Sequence, residues 1–537
     1  MKKLIAWVIM LTLLMSLVPQ VAIGVTAEEV PAAHSHSATQ HDCAHCDETI
    51  TWTAWEKTDS LPTDGGHYYL TGNVTVTKRT TLKGTVDQVL CLNGYTIDGS
   101  GKDILYYMQD SAKLTVDDCT AYTDAEKVLH AGTITNGWQT GSMPSAIYVK
   151  GTAELTVKNC YISNNTHTKN NNTAAGYGGA VQVRSESSKV VKAHFENVVF
   201  AGNVCGQDGG ALNVRGSKAT VTVKNCLFKE NEAVNGGAVY VTGNTVEMID
   251  CQFKNNTASM GPAVYVTSGT VNMTNCLVEE NTATGNGGSA IRLHASGNAV
   301  LDGCTIQNNK SGSGGGSAVH TGGGKCNLTL KDCAITGNLH DDKNPDYRGA
   351  VYLTNTTEKL IVSGKTVIEG NYKLDAEGNQ VETGIYTQNN PNPVDVGGLT
   401  AGAKISLYTR NYTPADADDI FAAATAPTAW NRTWLVYENN GMAVDYNETD
   451  KFFFAINTDH IHCPCGNTAC AEGHANVEYL PWKNTTSLPT GGNYYLTADV
   501  ALAGETSVTS DLNLCLNGKT VTAAAGKRHL STVKTPM

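Results

Sequence analysis

The sequence is short of basic charge and of long apolar runs, and each shortage excludes a class of function. Its 38 Lys and Arg residues face 50 Asp and Glu residues, so the formal net charge at pH 7 is −12. A nucleic-acid partner would require a basic face, so we expect no binding of nucleic acid. Beyond the amino terminus no apolar run approaches the roughly 20 residues that a spanning helix needs. We therefore expect no transmembrane segment after processing.

Proline is scarce and helical patterning is missing. The chain has 14 Pro against 54 Gly, a ratio that predicts many tight turns rather than a disordered linker. Apolar stripes at helical spacing are absent, which excludes the helical and leucine-rich solenoids. At 537 residues the chain is too long for one ordinary core, so we expect several units.

The amino terminus has the three parts of a signal peptide. Lys2 and Lys3 give the charged start, residues 4–18 are mostly apolar, and the small residues up to Ala27 form a cleavage site. We predict cleavage near Ala27 and a mature protein that is secreted or held at the cell surface.

A short unit recurs along the middle of the chain, as in "NCLFKEN" at 225–231 and "DCQFKNN" at 250–256. The gap between successive closing residues runs from 25 (Asn231 to Asn256) to 38 (Asn165 to Asn203). Gaps that share a minimum length and vary only by added residues are typical of a solenoid whose insertions are loops. The closing residues are Asn165, Asn203, Asn231, Asn256, Asn281, Asn309, Asn338 and Asn371.

The stretches between these residues alternate with period two and are rich in Val, Thr and Tyr, so they are predicted strands. Short strands in coils of about 25 residues predict an all-β fold, a right-handed parallel β-helix of eight to nine or more coils with end caps. Strands of neighbouring coils would pair ~4.8 Å apart along the axis. We expect each closing Asn to adopt left-handed backbone and to bond to the same Asn one coil up. Phe200, Phe228 and Phe253 would stack inside.

Six cysteines share one register, five residues before the closing Asn. Val198 and Thr366 take that register in two other coils, so the position behaves as a small buried filler. Free buried thiols are one interpretation. Disulfides between neighbouring coils are the other, since ~4.8 Å lies within the Cα separation that a disulfide permits. The six are Cys160, Cys226, Cys251, Cys276, Cys304 and Cys333.

A second repeat has a much longer period. "WEKTDSLPTDGGHYYLTGNV" at 55–74 returns as "WKNTTSLPTGGNYYLTADV" at 482–500, so a module begins again near the carboxyl end. The predicted order is a signal peptide (1–27), a Cys/His linker (28–50), a cap with the first turns (51–100), the β-helix (101–395), a β-rich cap (396–458), a second Cys/His cluster (459–477) and a truncated second copy (478–537).

A Cys/His cluster precedes each copy of the module. Thiolate and imidazole ligands in such sets favour a structural zinc ion, with a local disulfide or a polar linker as the alternatives. The fold itself requires no cofactor, and nothing in the sequence supports calcium. The candidate ligands are His41, Cys43, His45 and Cys46 in the first cluster, and His462, Cys463, Cys465, Cys470 and His474 in the second.

The motifs "GGAV" at 236–239 and "FKEN" at 228–231 resemble the repeats of polymorphic outer-membrane proteins. More broadly the coils resemble the pectate-lyase-like β-helix superfamily. The "LPT…YYLT…LCLNG" module with its "HIHCPCG" lead is similar to large secreted repeat proteins of anaerobic Gram-positive gut bacteria. These resemblances imply surface display, with adhesion or contact with carbohydrate. The chain carries no carboxyl-terminal barrel of the outer-membrane family, so that transport route is not implied.

One column of side chains is the predicted ligand surface. In each "GGAV"-type strand the residue between two core positions should point outward, which would place aromatic, amide and cationic groups side by side. Such groups suit a glycan or a surface protein, although stacked Tyr also stabilises a sheet without any ligand. The predicted column is Tyr148, Gln182, Asn213, Tyr240, Tyr265, Arg292, His320, Tyr352 and Tyr386.

The same superfamily contains polysaccharide lyases and glycoside hydrolases, so an enzyme is the alternative function. The Gly-His-Gly and Arg-x-Lys motifs of polygalacturonase-like enzymes do not occur, and we assign no catalytic residue. The nearest candidates for an acid beside a cation are Asp208 with Arg215, or a group in one charged loop, namely Asp341, Asp342, Asp346 and Arg348.

Overall fold

The structure is a computed structural model. It describes residues 51–537 except 102–103, 140–142, 169–176, 187, 313, 343–348, 389–393, 411–418, 422–429, 438–441, 448–451, 457–460, 463–476, 483, 524–529 and 533–537. The predicted signal peptide and the first Cys/His linker lie outside these residues.

The chain winds into coils that each contribute four short strands, here called strands I to IV. In one coil strands I and II run together as Val239–Ile249, strand III is Gln252–Lys254 and strand IV is Thr257–Met260. Each strand pairs in parallel with its counterpart in the next coil. Strands I, II and III belong to a 37-stranded sheet, and strand IV belongs to a 10-stranded sheet. The predicted fold class, an all-β parallel β-helix, is confirmed.

Strand I is Thr80–Leu82, Tyr106–Met108, Ile147–Lys150, Val181–Arg184, Leu212–Arg215, the first part of Val239–Ile249, Val264–Thr274 and Ile291–Asp302, then Val319–Gly322, Val351–Leu353 and Ile385–Thr387. Strand II is Asp87–Cys91, Lys113–Asp117, Glu154–Lys158, Val191–Glu196, Ala219–Lys224, the second part of the same three long strands, Asn327–Lys331, Lys359–Gly364 and Val394–Leu399.

Strand III is Val74–Thr75, Thr96–Asp98, Thr133–Thr135, Tyr161–Ser163, Val199–Ala201, Leu227–Lys229, Gln252–Lys254, Leu277–Glu279, Thr305–Gln307, Ala334–Thr336 and Val367–Ile368. Strand IV is Trp138–Gln139, Thr166–His167, Val204–Asp208, Glu232–Asn235, Thr257–Met260, Thr282–Ala283, Lys310–Ser311, Leu339–His340 and Asn371–Leu374, and Gln380–Thr383 pairs with the last of these as an antiparallel neighbour. A small hairpin joins Tyr122–Thr123 to Leu129–His130.

The first strands continue the stack without a break. Thr53–Trp55 pairs in parallel with Gly66–Leu70, which pairs in turn with strand II of the next coil. The Trp55 ring meets Tyr68 edge to face at 5.6 Å, and its indole donates to the carbonyl of Ser60. These contacts give the first coil an aromatic cover.

After the coils, Lys404–Thr409 pairs in parallel with strands I and III, and a 3-10 helix at Arg432–Trp434 follows. The strands Asp419–Phe421, Leu435–Tyr437, Met442–Asn447 and Phe452–Ile456 then pair as antiparallel neighbours. The remaining strands are Ile461–His462, Val477–Glu478, Leu480–Trp482, Gly492–Leu496, Val500–Leu502, Thr506–Val508, Leu512–Cys515, Val521–Ala523 and Leu530–Thr532.

The two copies of the duplicated module share side-chain contacts as well as sequence. The Trp482 ring meets Tyr494 edge to face at 5.2 Å, and its indole donates to the carbonyl of Ser487. Both contacts repeat those of Trp55 in the first copy: the serine follows the tryptophan by the same number of residues, and the tyrosine returns to the same place although the second copy is one residue shorter before it.

The interior of the coils is filled by stacked apolar side chains. Phe200, Phe228 and Phe253 lie face to face, with ring centroids 4.7 and 4.9 Å apart. These separations equal the distance between paired strands, so each ring occupies one coil. The six cysteines of the common register are buried, and none of them forms a disulfide in the structure. Val198 and Thr366, which replace Cys in two coils, are buried too.

A continuous line of asparagines runs beside this core. The side-chain nitrogen and the backbone N–H of Asn231 both donate to the side-chain oxygen of Asn256, at 2.9 and 3.0 Å. Asn256 donates in the same way to Asn281, at 2.9 and 3.0 Å. The eight closing residues are all fully buried and are joined from Asn165 to Asn371 by these paired bonds.

The left-handed backbone does not lie where the sequence predicted it. The closing Asn itself has ordinary backbone, and the residue before it has positive φ, as at Asn164, Glu230 and Asn255. A second left-handed position precedes each Cys of the common register, as at Asn159 and Asn225. The physical reason is that the closing Asn must direct both donors along the axis, which leaves the bend to its neighbour.

We predict that Asn256→Ala lowers the free energy of unfolding by about 3–5 kcal/mol, because it strands the donors of Asn231 and the carbonyl of Phe228 in a dry core. Thr274→Ala, on the exposed face of strand II, is the control and should change it by less than about 0.5 kcal/mol. Urea unfolding of both variants makes the comparison. Equal losses would contradict a stabilising role for the asparagine line.

Candidate functional site

The nine residues of the predicted ligand column do form one column. Each pairs in register with the next, so that Asn213, Tyr240, Tyr265 and Arg292 follow one another one coil apart on strand I. None of the nine belongs to the apolar core cluster. We call this set the outer column, since its side chains point away from the interior.

The predicted exposure of the outer column is wrong. All nine side chains, Tyr148, Gln182, Asn213, Tyr240, Tyr265, Arg292, His320, Tyr352 and Tyr386, are only 0–8 % exposed. A sugar ring therefore has no open tyrosine face on which to stack.

Two contacts cover the column. The rings cover one another: Tyr240 and Tyr265 stack at 5.5 Å with 7° between their planes. The turns between strands IV and I, which contain glycine, cover the remaining surface of the column. A Cβ on Gly261 would lie 2.9 Å from the Cβ of Tyr265, and one on Gly316 would lie 3.0 Å from the Cβ of Tyr352. The turns need glycine because their backbone lies directly against the column.

The column is longer than the sequence suggested. Tyr107 pairs in register with Tyr148, and Tyr408 pairs with Tyr386 and stacks on it at 5.0 Å. Neither tyrosine follows a Gly-Gly-Ala turn, so the motif did not identify them. The signal that could have found them is the central position of Tyr in a period-two strand.

Polar groups gather at one part of the column, in what we call the polar cluster: Tyr177, Gln182, Asp208, Asn213, Arg215 and Asn235. The guanidinium of Arg215 lies over the ring of Tyr177 at 3.6 Å, and its Nη1 is 3.9 Å from Oδ2 of Asp208. Asn235 donates to Oδ1 of Asp208 at 3.0 Å. Strands IV and I of two coils supply all of these residues except Tyr177, which forms an isolated parallel bridge with Asp208.

Burial shifts the pKa values of two acidic groups in and near the polar cluster. Burial raises the pKa of Asp208, and the bond from Asn235 and the charge of Arg215 only partly oppose it. Burial also raises the pKa of Tyr265 to about 12. The fold thus brings together Asp208 and Arg215, one of the pairs of an acid beside a cation that the sequence analysis named for an enzyme.

The other candidates do not form such a site among the described residues. Asp341 pairs with Lys310 at 2.5 Å across neighbouring coils. Asp346 and Arg348 lie outside the described residues. So do all the candidate zinc ligands except the backbone of His462. Within the part of the chain that the structure covers, no three His, Cys, Asp or Glu side chains meet as a metal-holding group. That same part contains no helix long and apolar enough to cross a membrane.

Stacked parallel coils with short turns define the class of protein as a parallel β-helix. A family model described as the right-handed β-helix region matches residues 92–277 and 145–367, which together span more than half of the chain. The chain belongs to the right-handed β-helix family.

Among solved structures the chain is similar to PfbA, a surface adhesin of Streptococcus pneumoniae. The two are 13% identical with a TM-score of 0.35, and the match covers 74% of this chain and 91% of PfbA. A comparison with curated proteins finds no significant match.

We predict a pH effect at Asp208. Because burial raises its pKa in the folded state, the fold holds this proton more tightly than the unfolded chain does. The free energy of unfolding of the wild type, relative to Asp208→Asn, should therefore fall as pH rises from the ordinary value of 3.8 through the raised pKa. Urea unfolding of both proteins between pH 3 and pH 7 measures it. A difference that grows with pH instead would show that Arg215 dominates over burial.

Proposed function

We propose that this chain is an exported surface protein that binds a polar glycan along one side of its β-helix and does not cleave it. Two features support the proposal: the signal peptide predicted at residues 1–27 and the polar side chains along strand I. It also accords with the resemblance to large secreted repeat proteins.

One observation carries this function: several buried polar atoms without a hydrogen-bond partner among the described residues lie in the outer column or in the polar cluster beside it. They are Oε1 of Gln182, Nη1 of Arg215, Oδ1 of Asn235, and Nε and Nη1 of Arg292. Leaving such atoms unpaired costs about 1–3 kcal/mol each, which favours a turn of these side chains toward a partner that supplies donors and acceptors. A glycan offers both in every residue.

Because the side chains of the outer column are buried, a glycan cannot stack on them as the sequence predicted. Because the tyrosine faces are stacked on each other, the ligand would contact the rim of the column, where the side chain of Arg215 is 27 % exposed. Strands I of successive coils repeat every ~4.8 Å, so a chain-like ligand can meet one polar group after another.

A second candidate function, cleavage of a glycan, is favoured by one observation. A carboxyl group with a raised pKa, such as that of Asp208 beside Arg215, can donate a proton to a leaving group. This alternative requires that polymer chains shorten and that Asp208→Asn stops the shortening.

The test is a glycan array followed by affinity measurements on the polysaccharides that bind. We expect binding that weakens about tenfold or more in Arg215→Gln, because a charged hydrogen-bond donor is lost. Lys359→Gln, which removes one charge from an exposed position of strand II, should leave the affinity unchanged.

Size-exclusion chromatography of the same polysaccharides after long incubation separates the two functions. Unchanged chain length supports binding alone. Shortened chains, lost in Asp208→Asn, would contradict the proposed function and establish the enzyme. An array on which no glycan is retained would contradict both.

A further inference from the structure

Strand III has an outward surface that the proposed function does not use. The first outward position of this strand is mostly apolar, and its residues follow one another in register from coil to coil. Most of these side chains are half-buried, so they reach the surface of the rod. We call this surface, together with the bends that border strand III, the strand III face. Its apolar row is Val199, Leu227, Gln252, Leu277, Thr305 and Ala334.

A hairpin bounds the strand III face at one end. Tyr161 pairs in register with Val199 one coil before it, and its hydroxyl donates to the carbonyl of Leu129 at 2.5 Å. Leu129 belongs to the small hairpin, which therefore lies beside strand III at that coil. The face that we consider begins with the coil of Val199.

A charged row runs beside the apolar row, two residues further along each strand. Lys229 and Lys254 come first, and Glu279 and Gln307 follow in the next two coils. Nζ of Lys254 lies 2.7 Å from Oε1 of Glu279, and Gln307 donates to Oε2 of Glu279 at 2.9 Å. The side chains of Lys254 and Glu279 are 33 % and 17 % exposed, so both charges reach solvent. The row thus has a basic half and an acceptor half that meet between two neighbouring coils.

The bends on both sides of strand III repeat this pattern in the same two coils. On one side Asn275 donates to Oδ1 of Asp250 at 3.3 Å. On the other side Asn255 and Glu280 are exposed, and both have the left-handed backbone of that bend. An amide and a carboxylate therefore occupy neighbouring coils at each bend.

We propose that the strand III face binds the same face of a second copy of this chain, with the two rods antiparallel and a two-fold axis between the coils of Lys254 and Glu279. Such an axis reverses the order of the coils, so Lys254 faces the partner's Glu279 and Glu279 faces the partner's Lys254. The four side chains alternate in charge and form a network rather than an isolated ion pair. One coil further out, Lys229 faces the partner's Gln307, whose side-chain oxygen can accept from it.

The bends fit the same axis. Asp250 faces the partner's Asn275, and Asn255 faces the partner's Glu280, so a carboxylate meets an amide donor at both edges of the face. An amide N–H donates well to a carboxylate oxygen. The polar border of the face is therefore complementary to itself.

The apolar row also meets itself favourably. Val199 faces the partner's Ala334, and Leu227 faces the methyl group of the partner's Thr305. Leu277 at the centre packs on the methylene groups of the partner's Gln252. Burial of these side chains between the two copies supplies the hydrophobic part of the contact.

The charges select one alignment of the two copies. A shift of the partner by one coil places Lys254 opposite the partner's Lys254 in one direction, and Glu279 opposite the partner's Glu279 in the other. Like charges that face each other across an interface are unfavourable. The net charge of −12 also opposes association in general, so a complementary face is required for two copies to meet.

The size of the face predicts a weak dimer. Six coils at ~4.8 Å and six residues at ~3.3 Å give roughly 600 Å² per copy. This area is below the ~800 Å² per partner of a standard interface. We expect a dissociation constant of about 1–100 μM.

The experiment is sedimentation velocity of the protein between about 1 μM and 1 mM. We expect the wild type to become dimeric with rising concentration. Lys254→Glu and Glu279→Lys should each weaken the dimer at least about tenfold, because four like charges then meet at the axis. An equimolar mixture of the two variants should dimerise again, because a copy with two anions then faces a copy with two cations.

The mixture separates association from folding. Each variant alone has lost the ion pair within its own chain, and mixing does not restore that pair, so recovered dimer reports the contact between copies. Lys192→Glu is the matched control: it reverses an exposed lysine of strand II that lies 2.8 Å from Glu154, and it should dimerise like the wild type. Thermal unfolding of each variant verifies the fold.

Three results would overturn the dimer face. They are a wild type that stays monomeric up to about 1 mM, a dimer that survives in both single variants, and a mixture of the two variants that stays monomeric.

Discussion

The parallel pairing of each strand with its copy one coil away is the constraint on which the whole structure depends. It fixes a spacing of ~4.8 Å, and every residue type that recurs in register must then satisfy a neighbour of its own kind. Asparagine does so because one side-chain oxygen can accept two donors from the coil below, as Asn256 accepts from Asn231. Phenylalanine does so by stacking, and the buried cysteines by filling a small apolar position. The recurring spacing of these residues within the chain is therefore a consequence of the coil geometry and does not indicate a repeated catalytic or binding site.

This constraint explains how much the sequence could predict. Period-two strands and recurring closing residues were enough for the fold class and for the members of the inner stacks, since register alone decides which residues meet. The exposure of Tyr240 and its column could not be derived, because alternation says which side of a strand a residue faces and not what lies over that side. The glycines that permit the cover, such as Gly261, were visible, but their closeness to Tyr265 is a property of the folded turn. The left-handed position at Glu230 was missed for a similar reason: the backbone bend serves a hydrogen bond made by the next residue.

The covered column changes where a ligand would bind. Stacked tyrosines are satisfied by one another, whereas Arg215, Asp208 and Arg292 interrupt the stack with charges that the fold itself does not fully pair. A solenoid made only for stability has no use for a buried guanidinium without acceptors, since an apolar side chain at that position would fold at lower cost. Glu358, which accepts from four donors of its own turn and from the hydroxyl of Thr321 in the preceding coil, shows that this chain can satisfy a buried charge completely where the charge serves the fold.

The central claim is that polar groups along strand I receive a glycan. A crystal structure of the protein soaked with an oligosaccharide that binds on the glycan array tests it most directly. The account predicts density for the sugar chain along the rim of the outer column, in contact with Arg215. Density on the open face of strand II, away from Arg215, would contradict it.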